Sequence, residues 1–563
     1  MLISLADSLQ ESPVRRHLLF GAAAGVSILL LGYHFGAFDQ SIHIPFLKKF
    51  ADPGLYPGNE DFFKLRFQHY SYFWFLFLPL QRAGLLEPSI FVAHVLATYL
   101  TFWAVWTLSM TLFRDPLAGL ISVFSFIVPH FGFSGFPTLE WSLLNRTAAL
   151  PFLLWTINLF LLRRYATAFV LLGLLANIHI LSAAYAASLF LLDLVRQHHA
   201  DALRRAFYGV LILVAGAAPV LLWRFTSPFS GAATSPEWFP IISQGMFFHL
   251  FHLIAPYPHV LLISASGAGA LGLFMISIRR GLSVHDGTAR VFIAGTLIII
   301  ATQLVVTHTR PLTILIQSQI MRVGLIALIL GYLYFSGHLA ARHRAGELAG
   351  WDFACPLLGA AVNVTPVAAL GIWTIQRFIR AARWRRGLGF VSVAGSFVLT
   401  LSALSHYRAW IPGVYLEGRA TPWRDAQVWA RDHTPRDAVF ITPLHLWWLH
   451  ESDWRVFSER SQVVSLSDLL EIALVPDYVE EWKRRFDSLA PGALARFRGD
   501  YLENLRLTKA AYESLSDGRL AEIAGRYGVS YVVVEKPQIR TWPVVYENQR
   551  FVIYRIDRSN LSD

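Results

Sequence analysis

The chain has 563 residues, 55% of them hydrophobic and only 15% charged, with a mean hydropathy of +0.46. A soluble domain carries roughly 25% charged residues, so this composition excludes a string of soluble domains and specifies a polytopic membrane protein. The net charge of +11 comes from 48 Lys+Arg against 37 Asp+Glu. Arg15-Arg16, Arg163-Arg164, Arg204-Arg205, Arg279-Arg280, Arg342, Arg344 and the Arg377 to Arg386 cluster all flank apolar runs. That placement makes the charge a report of membrane orientation and excludes a nucleic-acid partner as its reason.

Arg15-Arg16 followed by Leu18 to Phe35 reads as an uncleaved signal anchor, with the N-terminus cytoplasmic and 36–69 as the first outer loop. Apolar runs follow at 70–86, 89–113, 116–129, 147–162, 165–195, 206–225, 258–278, 291–306, 322–340, 351–378 and 387–404. The run 116–129 is expected not to cross fully. The runs 165–195 and 351–378 are long enough for hairpins of two shorter helices, with turns at Asn177 and at Asn363-Val364-Thr365-Pro366. The expected total is roughly eleven to fourteen spans of about 20 residues each.

After Leu404 the pattern changes, which divides the chain into a membrane module over 1–404 and a C-terminal domain over 405–563 on the periplasmic side of a bacterial inner membrane. Thr421-Pro422 opens a helix over 423–433, since proline suits an early helical position. Ala438 to Pro443 and Tyr531 to Val534 read as strands, and Val544 to Ile556 as a hairpin around Glu547-Asn548. Strands alternating with helices predict a small α/β domain. The fold class is thus an α-helical polytopic membrane protein with a C-terminal soluble α/β domain.

Candidate chemistry begins in the first outer loop. Asp39 follows directly on the first span, where a partly desolvated carboxylate suits a general base or simply a helix cap. Ile42 to Phe50 places apolar residues on one helical face and Lys48-Lys49 on the other, a pattern for a helix lying along the interface. Arg146 stands beside Glu140 near the start of a span, so it either holds a phosphate or pairs with Glu140. His179 lies at a hairpin turn, as a functional group or a satisfied polar one. Arg322 at the mouth of a span and Arg310 and His308 in the loop before it are candidates to meet an anion and a substrate. In the tail, Trp447 and Trp448 follow a strand end where a sugar face can stack, and Arg460 is a further candidate contact. His249 and His252 share one helical face, which predicts an interfacial helix more than a zinc site. Cys355 is the single cysteine, which excludes an intramolecular disulfide and a cysteine-built metal site. Walker, zincin and serine-hydrolase motifs are absent from the sequence.

The order of a signal anchor, Asp39, the loop pattern DQ…PF…DP…PG…D and a tail carrying YGVSYVVVEK resembles the GT-C superfamily of polytopic membrane glycosyltransferases. It is similar to bacterial members of undefined function. The resemblance implies a polyprenyl-phosphate-linked sugar donor, a glycan, lipid or protein acceptor, and Asp39 as the base of an inverting transfer. With such a donor, the anion that Arg322 first, Arg310 second, and Arg146 if it does not simply pair with Glu140, would meet is the carrier phosphate. Glu60 and Asp61 occupy the superfamily's second acidic motif, which in some members holds a divalent cation such as Mg or Mn. Asn-Glu-Asp stands here in place of Asp-x-Asp, so the cofactor stays open. Two rival readings also remain: a lipid or glycolipid transporter, and an inactive GT-C-like scaffold.

Overall fold

A computed structural model describes residues 2–65, 70–133, 136–197, 199–227, 235–245, 258–379, 381–406, 409–446 and 451–556. The chain divides into two compact units. The first gathers residues 1–33, 92–223 and 248–414; the second gathers 34–91, 224–247 and 415–563.

Among the described residues of the chain, seven helical segments are long and apolar enough to cross a membrane by length and composition, from Pro13–Leu31 to Trp384–His406, and one of them, Tyr165–Arg196, is broken at His179. They make the protein an integral membrane protein, and they leave wide apolar faces exposed. Leu29, Phe207, Leu222, Phe390 and Val391 are all more than half exposed, as expected where acyl chains replace water as the neighbour.

Both expected hairpins of the first unit are present. The helix Tyr165–Arg196 is interrupted at His179, whose φ of −149° and ψ of 92° are not helical. Phe190 stacks on Phe160 at 4.1 Å and meets Phe169 edge-on at 6.1 Å. In an unbroken helix Phe169 and Phe190 would stand about 31 Å apart, so the chain folds back at His179. Asn177 sits just before the bend and mends its neighbour. Proline 219 interrupts the helix Ala200–Thr226, and the Asn177 amide donates to the Gly216 carbonyl at 2.8 Å and accepts from the Val220 amide at 3.2 Å. Gly173 and Gly216 let the two backbones approach, since a Cβ on either would lie 2.9 Å from the other's Cα.

The second hairpin joins Trp351–Ala361 to Pro366–Phe378. Its arms run antiparallel, with Gly359 against Ile372 and Gln376 donating to the Trp351 carbonyl at 3.4 Å. Arms of 11 and 13 residues are about 17 and 20 Å long, which is well short of a bilayer. The run 116–129 likewise forms only the ten-residue helix Pro116–Ser125. One end of the helices collects ion pairs, Arg280 and Arg342 with Glu347 and Arg344 with Asp115.

The second unit is built on a five-stranded sheet. Its strands are β1 (Val439–Ile441), β2 (Ser461–Gln462), β3 (Tyr531–Glu535), β4 (Val544–Glu547) and β5 (Phe551–Arg555), in the order β2-β1-β3-β5-β4. β1 is parallel to β2 and β3, while β5 is antiparallel to β3 and β4. The helix Pro422–His433, capped by Thr421, packs Trp423 and Ala426 against Phe440, Phe551 and Trp454. The segment 235–245 clips onto the same unit: the Trp238 indole donates to the Ile472 carbonyl at 2.6 Å, and Asn504 donates to the Gln244 carbonyl at 2.8 Å.

Two expectations are corrected. The run 70–86 is not a span. It forms a short 3-10 turn over Trp74–Phe77 and a five-residue helix, Leu78–Arg82, and two of its aromatic rings pack on protein: Trp74 stacks on His43 at 5.1 Å and Phe75 meets Phe50 at 4.8 Å. The helix Gln40–Ala51 does not expose its lysines. Lys48 and Lys49 are 5% and 2% exposed, because backbone carbonyls and carboxylates surround their ammonium groups. Lys48 donates to the Val456 carbonyl at 2.9 Å and pairs with Glu459 at 2.8 Å. Lys49 donates to the carbonyls of Pro53 and Leu55 and pairs with Glu60.

A buried ionic network anchors the second unit. Arg455 pairs with Asp453 at 2.8 Å and with Asp468, and all three side chains are at most 2% exposed. The Asp453 carboxylate also accepts from Gln462 at 2.8 and 2.9 Å and from Ser467 at 2.9 Å. Burial disfavours its charge, but the Arg455 guanidinium, with hydrogen bonds from the Ser465 side chain and the Arg455 amide, outweighs that and holds it below the usual carboxylate range. Removing one partner of such a network leaves an uncompensated buried charge, which costs about 3–5 kcal/mol. Arg455→Met is therefore expected to lower the melting temperature of the purified protein sharply; an unchanged melting curve would contradict the network's structural weight.

Asp468 differs from Asp453: burial pushes it up to about 6. A carboxyl raised above its unfolded value of about 3.9 is favoured protonated in the folded state. Its contribution to stability is fully present below the unfolded value and fades as pH rises through 6. Asp453, being depressed, loses its contribution only at lower pH. Between pH 7 and pH 5 the unit should therefore gain about 1 kcal/mol. Thermal unfolding across that range is expected to show the gain in the wild type and a flat profile in Asp468→Asn.

Candidate active site

Four of the charged or polar residues singled out in the sequence line one pocket inside the first unit: Glu140, Arg146, His179 and Arg322. The cavity is about 50 Å³, enough for a few waters or one small polar group. Its remaining walls include Phe136, Thr147, Leu150, Ser182, Tyr185 and Leu325.

Each side chain is delivered by a break in regular structure. Arg146 stands in the first turn of the helix Asn145–Leu161. Its guanidinium donates to both Glu140 oxygens, Nε to Oε1 at 2.6 Å and Nη2 to Oε2 at 2.9 Å, a bidentate geometry that fixes its plane. Pairing with Glu140, one of the two roles open for Arg146, is thus what the structure holds. His179 occupies the hairpin bend, with Nδ1 2.7 Å from the Ser182 hydroxyl. Arg322 lies in the 3-10 turn Ile320–Val323, which follows Gln319 at a left-handed φ of 44°. The Tyr185 hydroxyl pins that turn by donating to the carbonyls of Ser318 at 2.6 Å and Gln319 at 2.9 Å.

Phe136 connects the two arginines. The Arg322 guanidinium carbon stands 4.0 Å from the ring centroid and that of Arg146 stands 4.8 Å away. A ring face stabilises each cation, and the fork of Arg146 is taken by Glu140. Sequence reasoning missed Phe136, Ser182 and Tyr185. Ser182 was within reach, three residues after His179 and so on the same helical face. Phe136 lies in an aperiodic stretch that carries no such signal.

In the second unit Asp39 stands at the N-cap position of the helix Gln40–Ala51 and is 9% exposed, with no side-chain cap bond to that helix. The residue before it, Phe38, has a φ of 51°, a left-handed conformation that costs about 1–2 kcal/mol for a residue with a Cβ. The carboxylate is therefore carried on a sharp corner.

Other candidates are placed elsewhere. Arg310 and His308 are exposed at the C-terminal end of the helix Asp286–Thr309 and do not line the pocket. Arg460 is buried, and its guanidinium caps the helix Pro422–His433 by donating to the carbonyls of Arg431 and Thr434, the latter at 2.7 Å. That use, rather than an acceptor contact, accounts for its burial. Glu60 pairs with Lys49, and Asp61 pairs with Lys64 at 3.0 Å. Among the described residues no three His, Cys, Asp or Glu side chains gather as metal ligands. Trp447, Trp448, His249 and His252 lie outside the described residues.

A domain of unknown function (DUF6798) matches residues 421–489, the stretch that carries Asp453, Arg455 and Asp468. No curated protein matches the chain in sequence. In structure the chain is similar to the oligosaccharyltransferase of Archaeoglobus fulgidus, solved with a tethered acceptor peptide containing the NVT sequon. The TM-score is 0.41 at 12% identity, over 92% of this chain and 69% of that one. It is also similar to the arabinofuranosyltransferase AftD from mycobacteria, with a TM-score of 0.46 at 13% identity, over 97% of this chain and 40% of that one.

Proposed function

We propose that the protein is a membrane glycosyltransferase that moves a sugar from a polyprenyl-phosphate carrier to an acceptor hydroxyl, with inversion at the anomeric carbon. The observation that carries this reading is the pocket in the membrane unit, where two guanidiniums flank one ring among apolar helices. Arginine in such surroundings is costly and marks an anion site, and a lipid phosphate is the anion a bilayer supplies. Arg322 is its first ligand, and Arg146, oriented by Glu140, is the second. Arg310 keeps a role at most in drawing the carrier in.

The pattern around Asp39 supports the same reading. The acceptor oxygen bonds to the anomeric carbon as the bond from that carbon to the phosphate oxygen breaks. The electron pair leaves with the lipid phosphate, and the acceptor's proton passes to Asp39. A phosphate is already a good leaving group, so no acid is needed opposite Asp39. In orientation, the arginine-rich helix ends face the cytoplasm of a bacterial inner membrane, and the tail lies on the periplasmic side.

Deleting the gene and profiling envelope glycans and lipid-linked sugars by mass spectrometry tests this. The expected result is loss of one glycan feature together with accumulation of one intact lipid-linked sugar. Loss of a lipid with no accumulation of a sugar-charged carrier would overturn it. The transporter reading draws support from the bend at His179 and the short hairpin 351–378, since broken helices line transport paths.

A further inference from the structure

The corner that carries Asp39 is shaped by the tail, within the second unit. Ala37 forms an antiparallel bridge with Ser452. The Ser41 hydroxyl accepts from the Asp453 amide at 3.1 Å and donates to the Gly36 carbonyl at 2.9 Å, so it ties the tail to the start of the corner. The Gln40 side chain accepts from the Gly36 amide at 2.8 Å and closes the turn. Gly36 has a φ of 78°, and a Cβ on it would lie 2.8 Å from Val456. The left-handed φ of Phe38 falls between these contacts. Strained backbone of this kind persists only where its surroundings over-determine it.

The tail segment is itself held rigidly. The Trp423 indole donates to the Ser452 carbonyl at 2.9 Å, and Gln427 donates to the Ser452 hydroxyl at 3.1 Å and accepts from the Phe457 amide at 3.3 Å. Asp453 is fixed by the buried network with Arg455, Gln462 and Ser467. The loop is clamped a second time further on, where Tyr56 donates to the Arg455 carbonyl at 2.9 Å and Asn59 exchanges two bonds with the Gln462 backbone at 2.8 and 3.0 Å.

We propose that the segment 452–457 is the mould that sets the Asp39 backbone, with Ser41, Ser452 and Asp453 as positioning residues for that carboxylate. This rests on reading Asp39 as the base of the transfer. It gives the matched domain of residues 421–489 a role in catalysis that requires no contact with substrate.

The test is a double-variant cycle on Ser41→Ala and Asp39→Asn in membranes of the deletion strain, with the lipid extract of that strain as donor source. Ser41→Ala is expected to lower the turnover rate about tenfold with the donor KM unchanged. In the Asp39→Asn background it should cause no further loss, since a residue acting only through Asp39 has nothing left to position. A tenfold loss in both backgrounds, or no loss in either, would overturn the proposal. If Asp39→Asn itself keeps wild-type turnover, it is the base reading that fails. The mould is then judged by reaction of Asp39 with dicyclohexylcarbodiimide in the purified full chain, followed by peptide mass spectrometry. Ser41→Ala should speed that labelling several-fold, and an unchanged rate would overturn the mould whatever the fate of the base. Val456→Ala, which removes the side chain facing Gly36, carries the same expectations should Ser41→Ala fail to fold.

Discussion

Asp39→Asn is expected to lower sugar transfer by about 10²–10⁴-fold, the range for loss of a positioned general base. The substitution keeps the side-chain size and removes only the charge and its proton affinity. The contacts of Ser41, Gly36 and Ala37 that hold the corner run through the Ser41 hydroxyl and backbone groups. The fold should therefore survive, with a melting temperature within a few degrees of wild type. The loss should appear in kcat with the donor KM unchanged, because the base acts on the acceptor's proton and not on the lipid phosphate. Turnover within threefold of wild type in matched membranes would remove Asp39 from the mechanism.

The second large effect belongs to Arg322. A charge-assisted hydrogen bond contributes about 1.5–3 kcal/mol, so Arg322→Met should raise the KM for the lipid-linked donor about 10- to 100-fold. Arg322→Lys should fall between the two, since it keeps the charge and loses the planar fork. Arg146→Met should behave differently. It leaves Glu140, 9% exposed, without the cation it grips at 2.6 and 2.9 Å, so reduced stability should accompany any change in KM. Equal KM values for wild type and Arg322→Met would remove the carrier phosphate from this pocket.

Much of this was legible because membrane sequences penalise exceptions. An Arg, Glu or His among apolar runs has few bland explanations, and Glu140, Arg146, His179 and Arg322 do line one cavity. The hairpin at 351–378 was readable from Asn363 and Pro366, and the tail strands from their alternation. What stayed hidden depended on distant parts of the chain. Hydropathy does not distinguish an aromatic run facing lipid from one facing protein, so 70–86 read as a span while Trp74 in fact stacks on His43. Lys48 and Lys49 read as solvent-facing because their partners lie in part beyond the loop, with Glu459 more than 400 residues away. The assembly of 34–91 and 224–247 with 415–563 in one unit has no local signal at all. Nor does the service of Arg460 as a helix cap, since an arginine that meets carbonyls and one that meets a ligand look alike in sequence.

The most direct measurement places the purified chain in liposomes with the lipid extract of the deletion strain and follows the fate of the lipid-linked sugar by mass spectrometry. The glycosyltransferase account predicts that the carrier is cleaved: polyprenyl phosphate appears as the sugar-charged lipid disappears, and Asp39→Asn stops both. A sugar-charged lipid that crosses the bilayer intact, with no polyprenyl phosphate released and no difference between wild type and Asp39→Asn, would contradict that account and establish transport instead.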